Sequence, residues 1–209
     1  MMNDTDLQGC LAFIREAERL KSVLRSAHTS TGRHESTAEH TWRLCLMAMV
    51  FAPHLHAEGE PPLDLARVLQ LCVIHDLGEA ISGDIPAVEQ AQVPDKSARE
   101  RADLLTLMAP LPEDVRERYL ALWEDYEHAR TPEARVVKAL DKLETILQHN
   151  QGANPASFDY AFNLVYGAKV TRGHPLIERI RAAVDADTRR HALERGQIDG
   201  SITAPAGPA

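Results

Sequence analysis

Apolar residues recur at three- and four-residue spacing along most of the chain, the period of a helix packed on one side. No window shows strict alternation bounded by turn residues. The pattern predicts an all-α fold. Leu7, Leu11, Ile14, Ala17 and Leu20 mark a first amphipathic helix over roughly 5–24, and the stretch that follows, to Glu35, is polar and irregular. Ser36-Thr37-Ala38-Glu39 has the form of a capping box, in which Ser36 accepts from the backbone N–H of Glu39 and Glu39 reaches back to that of Ser36. A second helix therefore starts there and runs through Trp42, Leu46 and Val50 to Pro53. From Leu63 to Ile81 apolar side chains cover most of the helical circumference, which predicts a third helix, central and buried. Further helices are expected at roughly 95–109, 112–129, 132–149 and 175–194, with Pro112, Pro132 and Pro175 near first turns, where a missing N–H costs nothing. The sum is about seven helices in one domain over 1–195. Residues 196–209 are mostly small and lack a period, so a disordered tail is expected there.

With 209 residues, 44% of them hydrophobic, the chain can bury one sizeable core and is short for two. Its formal charge of −8, with no run of five or more Lys or Arg, argues against a long nucleic acid as partner. A small phosphorylated ligand is not excluded, because one divalent cation and one or two arginines set the local potential whatever the global charge. No stretch is apolar enough to span a membrane and the acidic N-terminus does not resemble a signal peptide, so a soluble, cytoplasmic protein is expected. Cys10, Cys45 and Cys72 stand singly in apolar segments and read as reduced packing residues.

The chemistry concentrates where charge interrupts an apolar helix. Val73-Ile74-His75-Asp76-Leu77-Gly78-Glu79 places three titratable groups in the third helix, and Val136 to Leu147 places Asp141 in another. Burying such groups alone costs several kcal/mol, so they are expected to pair or to coordinate a metal ion. His75 and Asp76 point about 100° apart on a helix and can share an ion only at the helix flank, with other ligands from neighbouring helices. His40, in the first turn after the Ser36 cap, and Asp141 are such neighbours. Glu79, four residues after His75, lies one turn on and is a candidate general acid or base.

A His, then a His-Asp doublet, then a distant Asp on separate helices resembles the metal site of the HD superfamily of phosphohydrolases. The sequence is similar in particular to its compact branch of 5′-deoxynucleotidases. The matching motifs are Glu35-Ser36-Thr37-Ala38-Glu39-His40, His75-Asp76-Leu77-Gly78-Glu79, Gly83-Asp84-Ile85-Pro86 and Leu140-Asp141. The resemblance implies one divalent ion (Mn, Co, Fe, Ni, Zn or Mg) on His40, His75, Asp76 and Asp141. It also implies Glu79 and Asp84 as catalytic residues, and Arg25 and Arg33 as substrate-binding residues. The implied reaction is hydrolysis of a phosphomonoester, with the 5′-phosphate of a deoxyribonucleoside monophosphate as the leading substrate. A nucleotide triphosphohydrolase, a phosphodiesterase and a metal- or nucleotide-sensing module are the competing readings. A homodimer is a further expectation, drawn from the small helical domain and its amphipathic first helix.

Overall fold

The computed structural model describes residues 2–56, 59–90 and 94–199. Among them the chain is mostly helical, with seven helices of ten residues or more. These are α1 (Asp4–Ala17), α2 (Thr37–Phe51), α3 (Leu65–Ile74), α5 (Lys96–Met108), α6 (Glu113–His128), α7 (Pro132–Gln151) and α8 (Pro175–Glu194), with a single-turn α4 (Glu79–Ser82) after α3. No helix among the described residues is long and apolar enough to cross a membrane. Five of the seven expected helices appear within two residues of their expected ends, and the capping box of α2 is complete, both of its reciprocal bonds being made.

Four expectations are corrected. The segment before Glu35 is not irregular: β1 (Leu24–His28) pairs antiparallel with β2 (His34–Ser36), and the turn between them passes through Gly32 at φ +90°. The first helix stops at Ala17 and continues only as a 3-10 turn to Lys21. Its inward residue is Phe13, while Leu7, Leu11 and Ile14 stand exposed. The third helix is not continuous to Ile81; it ends at Ile74 and the His-Asp doublet occupies a tightened turn. Finally, part of the expected tail is ordered: the Gln197 side chain accepts from Tyr160 N–H at 2.8 Å and donates to the Phe158 carbonyl at 2.7 Å. Residues 200–209, the rest of that expected tail, lie outside the described residues.

The centre of the molecule is α7 rather than α3. It packs against α2, α3, α6 and α8, whereas α3 leaves Val73 exposed. Val137, Leu140, Leu143 and Ile146 are fully buried along α7, so this helix is wrapped on several sides and its few charged residues must be neutralised inside the protein. Cys72 is buried, Cys10 and Cys45 are half-buried, and all three are free thiols, as expected for packing residues.

Candidate metal centre and active site

The break after Ile74 decides how the site is built. His75 turns its Nδ1–H back onto the Cys72 carbonyl at 2.7 Å. The backbone then closes i to i+3 bonds: Leu77 N–H to Ile74 O, Glu79 N–H to Asp76 O and Ile81 N–H to Gly78 O. In a turn of that kind residues three apart eclipse one another. Asp76 and Glu79 therefore share a side, and the expected stacking of Glu79 on His75 does not apply. Gly78 permits the turn to dock, because a Cβ there would stand 2.9 Å from the Glu100 carbonyl oxygen and 3.2 Å from the Leu104 nitrogen of α5.

His40 from α2, His75 and Asp76 from the turn, and Asp141 from α7 converge. His75 Nε2 lies 3.0 Å from Asp76 Oδ2, and His40 Nε2 lies 3.2 Å from Asp141 Oδ1 and 3.6 Å from Asp76 Oδ2. His75 Nε2 is 3.9 Å from Asp141 Oδ1. Ligands held at about 2.1 Å from one ion stand roughly 3 to 3.4 Å apart in octahedral or tetrahedral geometry, which the 3.0 and 3.2 Å spacings match and the 3.6 and 3.9 Å spacings exceed. The ligand atoms of His40, His75 and Asp76 all lie within 4.8 Å of one another. Both Nε2 atoms are buried and make no hydrogen bond, a costly arrangement for a ring nitrogen without a metal or proton partner.

The other ring nitrogens and oxygens are held from behind. His40 Nδ1–H donates to Glu144, which also accepts from Arg43 Nε at 2.6 Å. Asp141 Oδ2 accepts from the Tyr126 hydroxyl at 2.7 Å and from Lys142 Nζ at 2.9 Å, leaving Oδ1 toward the histidines. Such partners fix tautomer and orientation and strengthen a ligand's hold on its ion. Burial and Arg25 both push His40 toward its neutral form, yet Glu144 and Asp141 outweigh them and raise its pKa to about 10. The surroundings thus favour a positive charge at this point, for which a proton and a metal ion compete. Glu144 was not singled out in the sequence, although it follows Asp141 by three residues in the same apolar helix, which is the signal that points to it.

His75, Asp76 and Asp141 border a cavity of about 280 Å³ that Arg25, Glu79 and Asp84 also line. Burial first, then the nearby Asp76 and Asp84, push the Glu79 carboxyl up to about 9. Glu79 therefore keeps its proton at neutral pH, accepts from Thr37 Oγ1 at 2.9 Å and shares a hydrogen bond with Asp84. Burial and Asp76 also raise Asp84, against the pull of Arg25. Arg25 reaches the cavity from β1: its Nη2 donates to Thr145 Oγ1 at 3.0 Å, and its Nε stands 3.8 Å from Glu35. Its Nη1 is buried and without a partner. Arg33 is placed elsewhere. It sits at the far end of the hairpin, exposed, in an ion pair with Glu39 at 2.5 Å, and does not border the cavity.

A helical core with two histidines and two aspartates converging on a cavity defines a candidate metal-dependent hydrolase centre, and the comparisons with known proteins agree with it. The HD domain family model matches residues 17–181, and the chain belongs to this family of phosphohydrolases. It is 34% identical over 145 residues to mouse 5′-deoxynucleotidase HDDC2, covering 68% of this chain and 69% of that protein. The Dictyostelium discoideum 5′-deoxynucleotidase HDDC2 is 27% identical over 186 residues, covering 86% of this chain and 98% of that protein. Among solved structures, a predicted metal-dependent phosphohydrolase from Magnetospirillum magnetotacticum MS-1 superposes with a TM-score of 0.72 at 28% identity, over 93% of this chain and 99% of that one.

Proposed function

We propose that this protein hydrolyses a phosphomonoester with one divalent metal ion, and that its substrate is the 5′-phosphate of a deoxyribonucleoside monophosphate. The observation that carries the reading is one cavity bordered by His75, Asp76 and Asp141, with His40 behind them, by the unpartnered Nη1 of Arg25 and by the buried carboxyl of Glu79. His40, His75, Asp76 and Asp141 would hold the ion. When bound, that ion supplies Lewis acidity toward a phosphoryl oxygen and lowers the pKa of a water.

The chain's own groups do the rest. Arg25 presents a guanidinium edge to the phosphate, held in place by Thr145 and Glu35 so that little freedom is lost on binding. Glu79 carries a proton at neutral pH and is suited to deliver it to the departing 5′-oxygen. Asp84, hydrogen-bonded to Glu79, aims that proton and borders the sugar's place in the cavity. The cavity's size is close to the lower end of small-ligand pockets, ~300 Å³, which suits a mononucleotide better than an extended polyphosphate. The three other cations on its wall are already engaged, Lys96 by Glu100, Lys138 by Glu127 and Lys142 by Asp141, which also weighs against a triphosphate. The deoxy sugar and the 5′-position are taken from the names of the relatives.

The test is a panel of 5′-deoxyribonucleotides, 5′-ribonucleotides, 3′-monophosphates and nucleoside triphosphates with added divalent metal, read by product analysis. Orthophosphate released from 5′-deoxyribonucleotides well above the others supports the reading. Pyrophosphate or triphosphate as the main product, or no release from any monophosphate by metal-loaded protein, overturns it.

A further inference from the structure

The larger cavity of the molecule is not the catalytic one. A cleft of about 780 Å³ is lined by the first two turns of α7, over apolar residues that include Leu55, Leu63, Val136 and Ile177. Its wall carries four cations, Arg135, Lys138, Lys169 and Arg172, against two acids, Glu60 and Glu133. That is a local positive surplus in a chain of net charge −8. Lys169 and Arg172 are exposed, and no ion pair engages either among the described residues.

The segment that bears these two residues is braced from beneath. Buried Arg181 donates to the carbonyls of Tyr166 at 2.7 Å and of Asn163 and Leu164 at 2.9 Å, and its Nη1 lies 3.3 Å from Thr171 Oγ1. Asp185 holds the same guanidinium at 2.7 Å. Lys169 and Arg172 are thus presented on a fixed loop, which lowers the ordering cost of binding an anion. The same loop carries Tyr166 into the catalytic cavity, and Lys138 borders both cavities, so the two are adjacent yet separately walled.

We propose that this cleft is a second, non-catalytic binding site for a nucleoside triphosphate. Arg135 donates to the Arg130 carbonyl at 2.8 Å and Lys138 to the Glu127 carbonyl at 2.7 Å, so Lys169 and Arg172 are the cations that match a polyphosphate chain; the apolar floor suits a base, and the volume lies within the ~300–1,000 Å³ of small-ligand pockets. This goes beyond the phosphomonoesterase reading and does not rest on it, since it concerns binding at residues outside the catalytic cavity.

The experiment titrates ATP, and separately inorganic triphosphate, into the full chain carrying Arg25→Ala, with and without the charge reversals Lys169→Glu and Arg172→Glu, by calorimetry without metal. The Arg25→Ala chain should bind ATP, bind inorganic triphosphate more weakly, and lose on the order of 10- to 100-fold in ATP affinity on charge reversal. Both reversed positions are exposed loop residues, so circular dichroism should be unchanged. No ATP binding to the Arg25→Ala chain at millimolar concentration, or an affinity that the charge reversals leave unaltered, overturns the proposal.

Discussion

Glu79 and Arg25 are the residues whose roles differ most from those of ordinary surface charges. Glu79 holds its proton because burial and two neighbouring carboxyls disfavour the ionised form. Replacing it with Gln keeps the shape and removes the transferable proton. Glu79→Gln should lower kcat by about 10²- to 10⁴-fold while bound metal stays at the wild-type level. Unchanged kcat would remove Glu79 from the proton transfer. The two arginines give an internal contrast: Arg25→Ala should lower kcat/KM by roughly 10-fold or more, since a charged hydrogen bond to phosphate is lost. Arg33→Ala should stay within about twofold, because an exposed ion pair contributes little. Equal effects at both positions would show that the hairpin is misassigned. From the sequence alone the two looked alike, both in the segment before His40, because only the strand pairing sends one inward and the other to the turn. The candidate metal ligands could be picked out because buried charge in an apolar helix demands a partner. Tyr126 and Thr145 were not, since an aromatic and a hydroxyl in a helix read as packing.

At the scale of elements, periodicity located the long helices and failed where geometry changes without a change in hydrophobicity. The apolar run from Leu65 through Ile81 continues across the break at Ile74, so only the i to i+3 bonds reveal the turn that aligns Asp76 with Glu79. The two strands, five and three residues long, are too short for alternation to stand out. In α1 the helical period was right and its face was wrong: the face of Gly9, where an added Cβ would stand 2.0 Å from the Pro110 carbonyl oxygen, packs inward and carries Phe13 with it. The turn after α3 depends on Gly78. Gly78→Val should cost about 1–3 kcal/mol by driving α5 away, and should weaken metal binding as well, because His75 and Asp76 lie in the same turn. Denaturant unfolding together with metal titration checks both effects. A fully stable variant with intact affinity would show that the close approach of α5 does not shape the site.

Over the whole molecule, stability should carry a specific acid signature from His149. Burial holds this histidine's pKa down to about 4, with its neutral Nδ1–H donating to Asn163 Oδ1 at 3.0 Å, whereas the unfolded chain protonates it near 6.5. Between those values the unfolded state binds more protons, so this contribution to stability is present above pH 6.5 and is lost as pH falls toward 4. A shift of that size corresponds to on the order of 3 kcal/mol. His149→Gln should flatten the slope of unfolding free energy between pH 6.5 and 4, and an unchanged slope would contradict the assignment. The central claim, that His40, His75, Asp76 and Asp141 hold one divalent ion on which hydrolysis depends, is tested most directly by metal analysis of stripped and reloaded protein with phosphate release measured on the same samples. One tightly held equivalent per chain is expected, with hydrolysis lost on stripping and restored on reloading, and neither metal nor activity in Asp76→Ala. Hydrolysis that persists in stripped protein, or Asp76→Ala protein that binds metal and turns over like wild type, would contradict it.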